Sequence, residues 1–353
     1  MQNISDQVRG ELRELSNAVF QHEDAINDKT PIREIVPVIR IRDSIFAVKG
    51  DISIIGGLPK VGKTSVCAFL IATALLDRSP EGFDSLGIRT TYCQGAPVIY
   101  IDTEQPQAYT NKLRKQVLKL IGQSQHPQNL GIVNLRKYDS EKKLAKVLEL
   151  MGKYRNAHLW IIDGIADLIK DPNDTKESFG VIEKFMMKSD ELDTAIVLHI
   201  HENPGSSGKL RGNLGSEAER KAGGVVSIKK IKSEGSVVHA IEPKVIRGSA
   251  DFDPIYFRYE NGVPVSLSPA ESEQVTQKRN KTAARLELLS ELAKRCLQTG
   301  RLKYSDLVDR IVQVSPEVEG KTLARRTAEN RIKSFIQSKI VVIDGDFYAL
   351  PHI

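Results

Sequence analysis

The sequence is poor in cysteine and lacks long apolar runs. Its three cysteines, Cys67, Cys93 and Cys296, lie far apart and form no CxxC pair, which excludes the spacing of a zinc ribbon and is typical of a reducing compartment. No stretch of about 18 apolar residues occurs, so we expect no membrane-spanning helix. Residues 1–20 alternate in charge and have no apolar core segment, so they do not predict a signal peptide. These absences favour a cytoplasmic protein without a membrane partner.

The composition is otherwise that of an ordinary globular protein, since 40% of the residues are hydrophobic and 27% are charged. We find no internal repeat and no low-complexity tract. The length of 353 residues suits one large and one small domain. The formal net charge of +6 allows a polyanionic partner but does not by itself establish one.

The first two segments differ in pattern. Residues 1–45 are charged and mostly helical in pattern, and they end in an extended stretch. Residues 46–262 alternate short β-branched runs with amphipathic segments, which predicts an α/β fold with a mainly parallel sheet wrapped by helices. The last two predicted strands form an antiparallel hairpin. The predicted strands lie at 51–57, 96–104, 130–135, 158–164, 194–201, 224–230 and 237–245.

The remaining two segments are shorter. Residues 263–280 are polar without apolar periodicity, which predicts a linker. Residues 281–353 contain three helical segments followed by two apolar strands around Asp344-Gly345, a strong hairpin signal. Three helices and a hairpin in this order predict a small C-terminal winged-helix domain.

One motif carries most of the functional signal. Residues 57–64 match GxxxxGK[ST] in full, after an apolar strand and before an apolar helix. Glycines let backbone N–H groups turn inward onto phosphate oxygens, and the N-terminus of the helix favours the same anion. We therefore predict binding of Mg-ATP, with Lys63 on the β- and γ-phosphates and the Thr64 hydroxyl on Mg²⁺. The predicted nucleotide-binding residues are Gly57, Leu58, Pro59, Lys60, Val61, Gly62, Lys63, Thr64 and Ser65.

Acidic residues complete the predicted catalytic site. Asp163 ends an apolar strand, where its carboxylate can hold a magnesium-bound water; Asp167, one helical turn later, suits a cap or an outer contact. Hydrolysis also needs a carboxylate that orients the attacking water. Asp102 and Glu104 end another strand, and alternation predicts that they share one side of it. We favour Glu104, which reaches further, as the base, with Asp102 as the alternative.

The order of these motifs resembles the RecA-like core: GxxxxGKT, then IDTE, IIDG, and LHIH followed by a Gly/Ser-rich loop. The sequence is most similar to hexameric replicative helicases of the RepA type, with DnaB-type helicases and KaiC-like ATPases as cousins, over about residues 35–265. This resemblance implies that Glu104 activates water. It also implies that a histidine senses the γ-phosphate. This histidine ends the strand that follows the Walker B strand, which is the one that ends in Asp163. His199 and His201 both lie there, and the resemblance leaves open which of them acts.

The resemblance further implies a catalytic site shared between subunits, in which a neighbour's arginine stabilises charge that develops during transfer. Arg211 and the glycine after it resemble the Arg-Gly pair of RepA-type enzymes. Lys244 and Arg247 lie where DnaB-type helicases carry a Lys-x-Arg pair, although the spacing here is one residue longer. Lys209, in the glycine-rich loop 202–215, can act there too or contact DNA in a central pore. The sequence does not separate these uses.

The C-terminal segment adds a second indication of nucleic acid. From Glu271 onward, 15 Lys and Arg stand against 11 Asp and Glu, which gives four of the six net positive charges. Residues 322–338 predict the third helix of the winged helix, which can enter the major groove of duplex DNA; docking of a protein is the alternative. The predicted apolar face consists of Ala328, Ile332, Phe335 and Ile336. The predicted DNA-facing residues are Arg325, Arg326, Asn330 and Lys333.

Two functions follow as hypotheses. The first is a ring-forming, hexameric ATPase that translocates on single-stranded DNA, as a RepA-like helicase in the replication or mobilisation of plasmid or mobile-element DNA. The second is an ATP-gated DNA-binding or assembly regulator without unwinding activity. The chain lacks the large N-terminal primase-interaction domain of DnaB-type helicases, and it lacks the zinc motif of RadA-type recombinases.

Overall fold

A computed structural model describes residues 24–205, 208–233 and 236–351. Within these residues the chain forms eight α-helices. They are α1 (Lys63–Leu75), α2 (Gln107–Leu120), α3 (Ser140–Lys153), α4 (Thr175–Leu192), α5 (Gly212–Lys221), α6 (Pro269–Cys296), α7 (Tyr304–Glu319) and α8 (Arg325–Gln337).

The strands complete the element order. They are β1 (Pro37–Ile41), β2 (Ser44–Val48), β3 (Ile52–Gly57), β4 (Ile88–Thr90), β5 (Val98–Asp102), β6 (Leu130–Asn134), β7 (Leu159–Asp163), β8 (Ala195–His201), β9 (Gly224–Ser233), β10 (Ser236–Ile246), β11 (Ile255–Glu260), β12 (Val263–Ser266), β13 (Leu302–Lys303), β14 (Val342–Asp344) and β15 (Phe347–Ala349). A short 3₁₀ helix at Ile165–Leu168 follows β7.

The main sheet has nine strands in the order β12-β11-β10-β9-β3-β8-β7-β5-β6. The pairs from β9 to β6 are parallel, and those from β9 to β12 are antiparallel. The prediction of an α/β fold with a mainly parallel sheet is confirmed. Every strand predicted between residues 51 and 245 lies in this sheet, and the last two pair as the predicted hairpin.

Helices cover both faces of the sheet. On one face α1 packs through residues that include Phe69 and Leu70. On the other face α4 and α5 pack through residues that include Phe185 and Leu214. Strand β7 is buried along its whole length, which explains its continuous apolar run in the sequence. None of the helices among the described residues combines the length and hydropathy needed to cross a membrane.

The sheet order brings together strand ends that are distant in the sequence. β5 follows β3 in the order of the main-sheet strands along the chain but lies three positions away, because β8 and β7 are inserted between them. Gly57 pairs with His201 at the ends of β3 and β8, and Asp102 pairs with Asp163 at the ends of β5 and β7. Since these four strands are parallel, the loops that follow them leave the same edge of the sheet.

The N-terminal segment differs from the helical arm expected for 1–45. Residues 1–23 lie outside the described residues, and residues 24–45 contain no helix. The extended stretch forms β1, which pairs with β2 and β4 in a small antiparallel sheet. Ile39 and Phe46 of this sheet join the core on the α1 side. The boundary expected at residue 45 therefore falls inside β2.

Residues 263–280 are regular, so the expectation of an irregular linker was wrong. β12 extends the main sheet, and α6 then runs without a break through the rest of the segment. A capping box starts this helix: the Glu271 N–H donates to the Ser268 hydroxyl, and the Glu271 carboxylate accepts from the Ser268 N–H. No residue of this helix is buried before Leu289, which explains the missing apolar periodicity of 263–280.

The C-terminal unit, which comprises the residues from Leu289 onward, has a core of its own. A cluster of buried residues from Leu289 onward lies among α6, α7 and α8, separate from the clusters of the main sheet. β13, β15 and β14 form a three-stranded antiparallel sheet. Asp344 pairs with Phe347, so the predicted hairpin is present with Gly345 in its turn. The order of three helices and a hairpin agrees with the prediction.

Helix α8 is shorter than the predicted 322–338. Ala328, Ile332 and Phe335 are buried, as predicted. Ile336 is exposed, so its assignment to the apolar face was wrong. It directly follows Phe335, and the turn of about 100° per residue carries it off the buried face.

Candidate nucleotide-binding site

The backbone of residues 57–64 requires its glycines. Gly57 has φ 151° and Gly62 has φ 103°. Residues with a side chain rarely adopt such positive φ angles. A Cβ on Gly57 would lie 2.7 Å from the Ile228 carbonyl oxygen, and one on Gly62 would lie 2.8 Å from the Tyr259 hydroxyl. The loop therefore has no room for a side chain at either position, directly before the N-terminus of α1.

Lys63 is folded back onto the loop. Its ammonium donates to the carbonyl oxygens of Gly57 at 2.8 Å and Leu58 at 3.0 Å, and it lies 3.2 Å from Nδ1 of His201. These contacts account for all three of its N–H donors. Burial lowers the pKa of Lys63, and the charges of Asp163 and Glu104 offset part of that effect. Among the other predicted loop residues, Leu58, Pro59 and Lys60 are exposed and Val61 is buried.

Asp163 lies at the centre of a buried polar network and is only 5% exposed. Its Oδ2 accepts from the Tyr100 hydroxyl at 2.6 Å and from the Thr64 hydroxyl at 3.2 Å, and its Oδ1 accepts from Nδ1 of His199 at 2.9 Å. Burial raises the pKa of Asp163, but His199, the Tyr100 hydrogen bond and the charge of Lys63 outweigh it and hold the pKa below its usual range. The carboxylate is therefore ionised and fixed in place.

His199 is enclosed behind Asp163 and is 2% exposed. Its Nε2 lies 2.8 Å from the Cys67 sulfur. The imidazole therefore bridges the Asp163 carboxylate and the Cys67 sulfur. Burial raises the pKa of Cys67 well above its usual value, so the thiol stays protonated.

His201 links the other two predicted catalytic residues. Its Nε2 lies 3.3 Å from Oε2 of Glu104, and its Nδ1 faces the ammonium of Lys63. An ammonium can only donate, so Nδ1 accepts and Nε2–H donates to the Glu104 carboxylate. That hydrogen bond lowers the pKa of Glu104, against the opposing effect of partial burial. Of the two histidines left open by the sequence, His201 is the one that contacts Lys63 and Glu104.

Asp102 does not share a side with Glu104, so the expectation from alternation was wrong. The chain turns directly after β5, and both Asp102 oxygens are used inside the protein. Oδ1 accepts from the backbone N–H of Glu104 at 3.1 Å and of Gln105 at 2.8 Å, and Oδ2 accepts from the Thr110 hydroxyl at 2.6 Å. Burial raises the pKa of Asp102. Asp102 braces the turn that carries Glu104, and it is not available to a ligand.

Asp167 is an outer contact, one of the two readings that the sequence gave. Its carboxylate lies 3.5 Å from the ammonium of Lys143 and accepts from the Thr103 hydroxyl at 3.3 Å. Thr103 in turn donates to the Gly164 carbonyl oxygen at 2.7 Å. These contacts join the turn after β5 to the turn after β7, next to the predicted site.

Three more residues near the loop were missed by sequence reasoning. The Tyr259 hydroxyl donates to Ser65 at 2.9 Å, His239 Nδ1–H donates to the Val61 carbonyl oxygen at 2.7 Å, and the Gln105 amide donates to Thr64 at 3.3 Å. Tyr259 and His239 come from β11 and β10, far along the chain, and no short motif marks them. Gln105 directly follows the Glu104 of the motif, which is the one signal that could have found it.

The predicted trans-acting and pore residues differ in how firmly their side chains are held within the chain. Arg211 and Arg247 are exposed, and so is Lys209. Lys244 is held within its own chain, since its ammonium donates to the Gly208 carbonyl oxygen at 2.7 Å and pairs with Glu219 at 2.9 Å. Arg211 precedes α5, and its N–H donates to the carbonyl oxygen of His201 at 2.8 Å.

The candidate residues on α8 are exposed, and they do not belong to the site at the strand ends of the main sheet. Arg326, Asn330 and Lys333 project from the helix. Arg325, also exposed, pairs with Asp309 of α7. The structure thus places one group of predicted residues at the ends of β3, β5, β7 and β8, a second group, Lys244 and Arg247, at the end of β10, and a third group on the C-terminal unit.

The donor set at the loop suits Mg²⁺ bound together with a phosphate. Thr64 and Asp163 offer hard oxygen atoms side by side, and the loop leads into the N-terminus of α1, where backbone N–H groups favour an anion. Within the described part of the chain, no group of three or more His, Cys, Asp and Glu side chains could hold a metal ion. A magnesium ion here would take its other ligands from phosphate and water, as is usual for this ion.

Comparison with known proteins adds no family name to this geometry. The sequence matches no protein-family model and shows no significant match to a curated protein. The functional argument therefore depends on the side chains and the fold.

Proposed function

We propose that the protein is a RecA-like P-loop ATPase that hydrolyses Mg-ATP and acts on DNA, as a RepA-like helicase or translocase in the replication or mobilisation of plasmid or mobile-element DNA. The observation that carries the proposal is a set of contacts among residues at the ends of four strands, β3, β5, β7 and β8. Thr64 of the loop lies 3.2 Å from Asp163, and Lys63 is linked through His201 to Glu104. A phosphate-binding loop, a magnesium-side carboxylate and a carboxylate base need this arrangement.

Each residue then has one task. Backbone N–H groups of the loop and the Lys63 ammonium bind phosphate oxygens. To bind them, Lys63 gives up its hydrogen bonds to the carbonyl oxygens of Gly57 and Leu58. Thr64 and Asp163 would hold Mg²⁺, which would neutralise charge on the phosphate oxygens. Glu104 orients the attacking water and accepts its proton, and its lowered pKa keeps it ionised at neutral pH. We assign the sensing of the γ-phosphate to His201 and the positioning of Asp163 to His199.

We propose that the C-terminal unit is a winged-helix domain that binds duplex DNA through Arg326, Asn330 and Lys333 of α8. We propose further that the core assembles as a hexameric ring, in which Arg211 completes the neighbour's site and Lys209 faces single-stranded DNA. Their exposure supports both parts of this proposal.

An ATP-gated DNA-binding or assembly regulator without unwinding activity is the second candidate. The observation that favours it is the separate core of the C-terminal unit, which could bind duplex DNA without a motor. Stimulation of the ATPase by single-stranded DNA distinguishes the two candidates, because only a translocase couples each step on the strand to hydrolysis.

Two variants test the ATPase proposal. Lys63→Ala should abolish ATP hydrolysis, and Glu104→Gln should bind a fluorescent ATP analogue but hydrolyse ATP at least about 100-fold more slowly. Glu183→Gln, an exposed acid on α4, is the matched control and should retain the wild-type rate. Full turnover by either site variant would overturn the proposal.

A further inference from the structure

One segment of the chain has basic residues and no acidic ones. Residues 105–138, which contain α2 and β6, have six Lys and Arg and no Asp or Glu. This segment alone equals the net charge of +6 of the whole chain. The six residues are Lys112, Arg114, Lys115, Lys119, Arg136 and Lys137.

On α2 these charges form a continuous exposed face. Lys112, Lys115 and Lys119 are exposed and follow the spacing i, i+3, i+7, so they lie in one row along the helix. Leu113 and Val117 are buried on the opposite side. Among the residues that the structure describes, no acidic side chain forms an ion pair with any of the three lysines. The row therefore has no acidic partner among these residues.

A polar groove runs beside the row, between α2 and β6. It is lined by donors and acceptors that suit both phosphates and base edges: Gln107, Asn111, Arg114, His126 and Asn134. β6 is the edge strand of the main sheet, so the groove is open along one side. Tyr109, 58% exposed, offers an aromatic ring on the same helix. Cations along a groove together with an exposed aromatic ring are the features by which proteins bind single strands.

The floor of the groove is connected to the nucleotide site. The Asn134 amide donates to the Gln105 carbonyl oxygen at 2.8 Å and to the Thr110 hydroxyl at 2.7 Å. Thr110 holds Asp102, and the Gln105 side chain donates to Thr64. A strand bound in the groove would therefore contact side chains that are hydrogen-bonded to the turn that carries the proposed base.

We propose that this α2–β6 face, consisting of the lysine row and the groove, binds the backbone and unpaired bases of single-stranded DNA. Bases inside a duplex could not reach the amide and imidazole groups of the groove, which is why we infer a single strand. The inference rests on the proposed action on DNA, and it adds a contact surface outside the glycine-rich loop.

The test is the affinity for a fluorescent oligothymidylate, measured by anisotropy at several salt concentrations. Lys112→Glu/Lys115→Glu/Lys119→Glu should raise Kd at least about tenfold and reduce the slope of log K against log salt by about 2, because each lost phosphate contact contributes about 0.7. The neutral Lys→Gln triple should show the same direction with a smaller change. The control, Lys153→Glu/Lys176→Glu/Lys184→Glu, alters the net charge equally on α3 and α4 and should change Kd by less than about threefold.

The outcomes separate this inference from the proposed function. Wild-type affinity in the α2 triple variants, or equal losses in the control triple, would overturn the inference and leave the proposed function in place. A loss confined to duplex DNA, or a change of oligomeric state without a change in Kd, would also overturn it. If the wild-type protein bound no single-stranded DNA at all, the DNA part of the proposed function would fail as well. Thermal unfolding of each triple shows whether the fold is retained.

Discussion

The nucleotide site and the C-terminal unit use polar residues in opposite ways. At the site, Asp163 is almost fully buried, and both of its oxygens accept hydrogen bonds from residues on other strands or helices. On α8, Arg326 and Lys333 project into solvent. A buried network fixes positions, so one substitution should have a large and specific effect. The exposed cations of α8 act through summed charge, so single changes there should have small effects that depend on salt.

The largest effect should come from Arg211, if it acts on the neighbouring subunit. Arg211→Ala should lower the ATPase rate by about 10³-fold, the usual scale for an arginine beside the transferred phosphate. Mixing it with Lys63→Ala should restore activity, because about a quarter of the interfaces at a 1:1 ratio then pair an intact loop with an intact arginine. ATPase rates across mixing ratios give the measurement. No recovery at any ratio, with co-assembly demonstrated, would contradict the assignment.

The next effect should come from Asp163. Asp163→Asn removes the negative charge next to Thr64, so we expect the ATPase rate to fall by about 100-fold or more and the magnesium requirement to rise. The measurement is the ATPase rate against magnesium concentration. Asp167→Asn, on the outer contact, is the control and should stay close to wild type. An equal loss of ATPase rate in both variants would contradict the assignment of Asp163 to the magnesium side and Asp167 to an outer contact.

A moderate effect is expected within the buried network. Tyr100→Phe removes the hydrogen bond to the Asp163 carboxylate and should lower the free energy of unfolding by about 2 kcal/mol. Tyr109→Phe makes the same chemical change at an exposed position and should have almost no effect. Chemical denaturation of both variants measures the difference. Equal stabilities would show that the network is not as tightly coupled as its geometry indicates.

A smaller effect is expected on α8. Arg326→Ala/Lys333→Ala should weaken the binding of duplex DNA and reduce the slope of log K against log salt by about 2, at about 0.9 for each phosphate contact. The control, Lys294→Ala/Lys339→Ala, removes two exposed lysines of the same unit away from that face. Duplex affinity that is equal in both double variants would demote α8 to a protein-docking helix.

The smallest effect is expected at the start of α6. Ser268→Ala removes the N-cap and should lower the free energy of unfolding by about 1 kcal/mol, with Ser290→Ala inside the helix as control.

The same capping box should respond to pH. Hydrogen bonds from Arg258 and then from Ser268 lower the pKa of Glu271 to about 2. Its stabilising contribution is therefore present above the usual pKa of about 4.3 and is lost as the pH falls towards 2. The difference in stability between wild type and Glu271→Gln should narrow over that range. A constant difference would show that the carboxylate charge contributes nothing there.

Much of the fold could be predicted because the central strands are buried on both faces. Continuous apolar runs predicted β3, β5, β7 and β8. The loop motif, which follows β3, predicted at which edge of the sheet the site lies. Alternation failed at Asp102, since the strand ends there and the chain turns at once. Periodicity failed for α6, because a helix exposed around its middle has no apolar face to reveal it.

The local chemistry of the site was only partly predictable. Thr64 and Asp163 belong to motifs whose spacing reflects their task. Tyr100, Cys67 and Tyr259 act through contacts between distant segments, and such contacts depend on the strand order of the sheet. A tyrosine within a buried aliphatic strand is a weak signal, because most such residues only fill the core.

The most direct test of the central proposal is the steady-state ATPase rate with and without single-stranded DNA, with Lys63→Ala as the blank. We predict magnesium-dependent hydrolysis above the blank and strong stimulation by the strand. A rate above the blank but indifferent to DNA would favour the regulator over the motor. A wild-type rate no higher than that of Lys63→Ala under both conditions would contradict the assignment of this site as an ATPase.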